Sequence, residues 1–110
     1  MFGPILIVCE DAKVAHELVG RVEKAGLDVV FAAHSHEALE RLRQFDVNAA
    51  VLAWQVGAEN VAAELEDYRI PYFCFGLPAP GSAAIAGQPM VVAHVELVVP
   101  TLTILLAPLG

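Results

Sequence analysis

Cysteine is scarce in this chain: Cys9 and Cys74 are the only two, each inside an apolar strand-like run. That rules out a small secreted fold held by a disulfide framework. No basic segment followed by a cleavage site suggests secretion, so a cytoplasmic protein with reduced thiols is expected. Basic residues are also few, 6 against 13 acidic ones, which gives a formal net charge of -7. A surface of that sign repels phosphate backbones and anionic lipid headgroups, so neither nucleic acid nor a membrane is expected as a partner. Charge is missing altogether from Leu97 to Gly110. Nearly every residue from Met90 to Leu109 is apolar, and about 20 such residues can span a bilayer. Here His94, Glu96, Pro100 and Pro108 interrupt the run, and the uncharged part is too short to cross.

What the chain does hold is core material. Its 110 residues are 57% hydrophobic, enough for one domain, residues 1–110, around a single core. Ile5-Leu6-Ile7-Val8 is a continuous aliphatic run, the pattern of a strand covered on both faces. Val14, Leu18 and Val22 then recur at four-residue spacing opposite Lys13, Glu17, Arg21 and Glu23, which predicts an amphipathic helix capped by Asp11 and stopped at Gly26. Val29-Val30-Phe31-Ala32 reads as a second strand. Ser35 is placed to cap a helix that turns Ala38, Leu39 and Leu42 inward and leaves Arg41 and Arg43 wet.

The stretch from Asn48 to Gln55 (NAAVLAWQ) is the central strand, ending at Ala53. Gly57 and a short helix from about Glu59 to Tyr68 follow, with Val61, Ala62 and Leu65 on one face. Pro71 closes that connection and Tyr72-Phe73-Cys74-Phe75 reads as a fourth strand. Gly76 to Pro89 reads as a loop with at most a short helix at 82–86, and Met90 to Ala93 as a fifth strand. Strands alternating with helices predict an α/β, doubly wound, five-stranded parallel sheet. In such sheets the chemistry lies at the carboxyl ends of the strands.

The pieces ILIVCED (5–11), GLDVVFAAHSHEALERL (26–42), NAAVLAWQVG (48–57) and RIPYFCFG (69–76), in this order and spacing, resemble the response-regulator receiver domain of bacterial two-component signalling along the whole chain. The resemblance implies a flavodoxin-like sheet of order 2-1-3-4-5 with shortened third and fourth helices. It also implies a Mg²⁺-dependent aspartyl-phosphate site at the carboxyl edge. Such a site uses two acids after the first strand to hold Mg²⁺ through oxygen, and an aspartate ending the third strand as nucleophile. A hydroxyl after the fourth strand and a lysine after the fifth bind the phosphate and report it. Carried over one at a time, these positions fall on Cys9 and Glu10, on Ala53, on Gly76 (or Phe75 if the register slips by one) and on Ala93, with His94 at the proline usually next. Only Glu10 keeps its chemistry. The expectation is a degenerate pseudo-receiver without the phosphoacceptor, non-enzymatic, with no cofactor and no metal.

Other residues carry weaker chemistry. Glu10, with or without Asp11, offers too few oxygens for Mg²⁺ and reads as a solvated acid. His16, His34, His36 and His94 give only one tight pair and no third ligand. Cys9 at the mouth of the site is disfavoured as a thiolate by Glu10 and Asp11. Trp54 and Tyr68 read as packing groups that fill space left by lost polar side chains. Asp46 is an acceptor only in an unconventional register, because it precedes its strand.

The uncharged tail reads differently. With Pro100 at the first helical position, Leu102, Leu105, Leu106 and Leu109 cover one face, and Ile104 and Ala107 leave a second apolar face outside the core. A β-branched strand is the alternative. Leu102, Ile104, Leu105, Leu106 and Leu109 are therefore candidate interface residues. In the receiver family the corresponding face, built from the fourth helix, fifth strand and fifth helix, is the usual dimer and partner surface. The function expected is a stand-alone receiver that works by protein contact, without phosphorylation, as a homodimer through its C-terminal face. Its partner would be a histidine kinase, a phosphotransfer protein or another regulator. The alternative is a small-ligand or redox sensor reusing the crevice lined by Cys9, Ala53, Trp54 and Gly76.

Overall fold

Four consecutive aliphatic residues, Ile5–Val8, form strand β1, and all four are buried. Successive residues of a strand point to opposite faces, so a run apolar at every position needs cover on both sides. The computed structural model, which describes residues 3–76 and 90–106, supplies that cover. In chain order the elements are β1, α1 (Ala12–Lys24), β2 (Val29–Ala32), α2 (Ser35–Gln44), β3 (Ala49–Ala53), α3 (Ala58–Asp67), β4 (Tyr72–Phe75), β5 (Val91–Val92), a 3₁₀ turn (Val95–Leu97) and α4 (Val98–Leu106). The five strands make one parallel sheet of order β2-β1-β3-β4-β5. The fold class expected from the sequence is the one observed.

The alternation along β1 divides the core in two. Leu6 and Val8 face α2 and α3, packing on Ala38, Leu42, Val61 and Leu65. Ile5 and Ile7 face α1 and α4, packing on Leu18, Val22, Val98 and Leu102. Each fully buried side chain of this kind contributes about 1.5–3 kcal/mol of transfer free energy. β3 lies at the centre of the sheet, and its Ala49 to Leu52 are buried on both faces.

The helix signals are met at α1. Asp11 Oδ1 accepts from the Lys13 and Val14 amides at 3.0 and 3.2 Å, and the chain turns left-handed at Gly26. At α2 the expectation fails. Ser35 is the first helical residue, the cap position belongs to His34 without a side-chain bond, and the Ser35 hydroxyl donates instead to Val56 O at 2.7 Å. Arg41 is not wet either: half-buried, its Nε donates to the edge carbonyl of Phe31 at 3.4 Å. β2 is an edge strand, and its outward carbonyl takes the nearest donor.

From Val98 to Leu106 the tail is a helix. Pro100 is its third residue, still in the first turn, where a missing N–H leaves no ladder bond unmade. The expected loop after Gly76 and its short helix, the shortened fourth helix and Leu109 lie outside the described residues. No helix among those described is long and apolar enough to cross a membrane.

Candidate functional site

The parallel register brings the five implied site positions to one edge of the sheet. Val8 pairs with Leu52 and Ala53 with Phe75, which sets Cys9 beside Ala53 where the strands end. Phe75 pairs with Val92, so Gly76 and Ala93 follow one step beyond. Glu10 leaves the same edge and is exposed. At that edge β3 ends in a methyl group, and the chain has no lysine after Lys24.

Two neighbouring side chains from the loop after β3 cross-link this edge. The Gln55 carboxamide accepts from the Glu10 amide at 2.9 Å and donates to Ala33 O at 3.1 Å, tying together the loops after β1, β2 and β3. The two partners fix which end is oxygen and which is nitrogen, because an amide can only donate and a carbonyl can only accept. The Trp54 indole donates to Gly76 O at 2.7 Å and so ties in the loop after β4. The loop itself is latched to α2 by the Ser35 to Val56 bond. Gly57, at φ +82°, makes the close approach possible: a Cβ there would lie 2.9 Å from the Ser35 Cβ. Val56, between these ties, is 90% exposed.

The residues present do not fit Mg²⁺. The Asp11 carboxylate is engaged as the α1 cap, the Cys9 Sγ points to Asp11 O at 3.6 Å, and of the implied metal-holding pair only Glu10 supplies a carboxylate. Among the described residues no three His, Cys, Asp or Glu side chains converge, whereas a hard divalent ion needs about six oxygens. His34, His36 and His94 are all exposed, and His36 Nε2 meets Glu40 Oε1 at 3.3 Å. Asp46 lies at the opposite, amino-terminal edge, just ahead of β3.

Cys9 is 2% exposed. Burial, first of all, raises its thiol; the backbone contact to Asp11 lowers it, and the charges of Asp11 and Glu10 add to the rise. The sequence pointed to those charges and missed the larger cause. Burial also pushes the Cys74 thiol up to about 11. Raised in this way, the Cys9 thiol is a poor nucleophile, which weighs against a redox sensor at this crevice.

Trp54, half-buried against the α2 and α3 side of the core, fills space there as expected. Tyr68 does not. It caps the end of α3 and is 51% exposed. In α4, Leu102 is fully buried with Val98, four residues before it, so its place among the interface candidates is corrected to the core. Leu105 and Leu106 are half-buried against that core, and Ile104 is 72% exposed. Leu97 lies seven residues before Ile104, on the same face, and is also exposed. The threonines deepen this face's apolar character: Thr101 and Thr103 donate to Leu97 O and Val99 O at 2.7 and 3.0 Å, which takes their hydroxyls out of play. Met90 and Val91 are exposed as well, but Val91 alternates with the core-facing Val92 and so lies on the face of the sheet opposite α4.

No family model matches the sequence, and no curated protein does. Solved structures do match. A CheY-like response regulator receiver domain of Methanospirillum hungatei superposes with a TM-score of 0.79 at 16% identity, over 94% of this chain and 92% of that one. The chain has the receiver fold. A two-component response regulator of Clostridium difficile gives 0.78 at 16% identity, over 94% of both chains. A response regulator of Thermotoga maritima, solved in complex with Mg²⁺ and BeF, gives 0.76 at 18%, over 96% of this chain and 100% of that one. The bond network of Gln55 and Trp54 is what sequence reasoning missed within this fold. The polar Gln55 next to a strand otherwise free of polar side chains was the available signal.

Proposed function

We propose that this chain is a receiver-like signalling protein of the two-component or phosphorelay type that works by protein contact and is not phosphorylated. The observation that carries the reading is Ala53 at the end of β3, with the loops around it already joined by Gln55 and Trp54. In a receiver that takes phosphate, a metal and a phosphoryl group hold such loops by charge. Here hydrogen bonds internal to the chain hold them, and the residue at the acceptor position carries no group that can take phosphate. The protein is not an enzyme on this reading. Incubation with acetyl phosphate and Mg²⁺, followed by intact-mass measurement, is expected to leave the mass unchanged. A single stable phosphoryl adduct would refute the reading.

Contact is assigned to the outer face of α4 and the turn before it, with Leu97, Thr101 and Ile104 as its stripe. A helix with a core face and an apolar outer face asks for a second partner. On this reading that partner is a second copy, and the dimer then meets a histidine kinase, a phosphotransfer protein or another regulator in the cytoplasm.

A further inference from the structure

At the amino-terminal edge of the sheet, away from the loops just described, an open recess of about 760 Å³ lies between the ends of α2 and α3. Its rim is built from two matching positions. Phe45 is the residue that ends α2 and Tyr68 the residue that ends α3, and each ring is about half exposed, 46% and 51%. Arg69 follows Tyr68 in a left-handed conformation, φ +58°, which L side chains rarely adopt; the sharp turn leaves Tyr68 and Ile70 on the recess wall. The Asp46 carboxylate lines the same wall, and among the described residues no ion pair reaches it within 4.0 Å.

Three features here share one electrostatic sign. Aromatic faces attract cations, the carboxyl ends of two helices carry partial negative charge, and Asp46 is an anion. α3 has no basic residue in its last turn and ends in Glu66 and Asp67. Arg43 is the opposing charge on the wall. We propose that this recess receives a guanidinium or alkylammonium side chain from a basic segment of a partner protein. The recess is open on one side, whereas small ligands are mostly enclosed by their sites, so a side chain presented on a surface fits better than a free small molecule. A chain of net charge -7 is complementary to a basic partner. A second copy of this chain fits less well, since it carries only 6 basic side chains against 13 acidic ones, and Arg21 and Arg41 are paired with Glu17 and Glu37. The inference does not depend on whether the carboxyl edge takes phosphate.

The probe is N-acetyl-argininamide, titrated against the labelled protein by two-dimensional amide NMR, with N-acetyl-citrullinamide as its neutral isostere. Saturable shifts confined to residues 43–48 and 66–70, with none from the citrulline compound, are expected. Asp46→Asn and Tyr68→Ala each weaken the midpoint about fivefold, and Arg43→Gln tightens it about twofold. These side chains are exposed, and an unchanged spectrum elsewhere reports that the variants remain folded. The proposal is overturned by absence of shifts, by shifts spread over the acidic surface, or by a midpoint indifferent to Asp46→Asn and Tyr68→Ala. A midpoint that varies with protein concentration would assign the recess to a second copy and overturn it equally.

Discussion

Gln55 shows what one side chain does when its partners lie 45 and 22 residues away in sequence. Its two hydrogen bonds join three loops, and each is worth about 1 kcal/mol net. Gln55→Ala is therefore expected to lower stability by about 1–2 kcal/mol, read as the urea midpoint, and to speed amide exchange at Glu10. Unaltered exchange there would show that the carboxamide ties nothing together. Gly57→Ala adds a left-handed penalty to a contact with Ser35, and about 1–2 kcal/mol of lost stability follows. Gly20 is the converse. It sits exposed inside α1, and a methyl group added there would meet nothing within 4 Å, so Gly20→Ala is expected to stabilise by about 0.5–1 kcal/mol. The residue scale is also where sequence reading is blindest. Trp54 and Tyr68 are both aromatics near an element's end; one packs and bonds across the edge and the other stands in solvent. The difference lies in which residues the fold brings beside them, and no local pattern encodes that.

At the scale of elements, periodicity carried most of the information. The four-residue spacing of Leu18 and Val22 and the aliphatic run of β1 each have one structural solution in an α/β chain, and both are found. α4 was harder because all its faces are apolar, so no contrast tells the core side from the outer side. The structure divides them, and the division is testable. Leu102→Ala removes a fully buried side chain and is expected to cost about 2–5 kcal/mol without altering which surface is exposed. Ile104→Asp changes a side chain that is mostly in solvent, so the monomer fold is expected to survive while association is lost. Light scattering at micromolar concentration decides: a dimeric parent and a monomeric Ile104→Asp variant are expected, and a parent that is already monomeric would remove the dimer from the proposed function.

For the molecule as a whole, a doubly wound parallel sheet was legible because the alternation of strands and helices admits few handed topologies, and the strand order was legible only through resemblance. The emptied carboxyl edge was legible as a set of positions, Cys9, Ala53, Gly76 and Ala93, through resemblance. The bonds that close over it were not. Packing the thiols of Cys9 and Cys74 away from water has a consequence for the alkaline limb of stability. Burial pushes the Cys74 thiol up to about 11 and also raises Cys9. Tyr72 is raised as well, by burial and by the Glu66 carboxylate to which its hydroxyl donates at 3.0 Å. In all three the folded chain keeps its proton to a higher pH than the unfolded chain does. Their stabilising contribution is therefore complete below the ordinary thiol range and is lost as pH rises through it toward the folded values. Cys74 alone is expected to remove about 1 kcal/mol by one pH unit above its ordinary value. Urea midpoints at about pH 7.5 and 10, measured under reducing conditions, check this. The drop between the two pH values should be smaller in Cys74→Ala than in the parent, because the variant's unfolded chain has one fewer proton to release. An equal drop in both would place the alkaline loss with groups other than the buried thiol of β4.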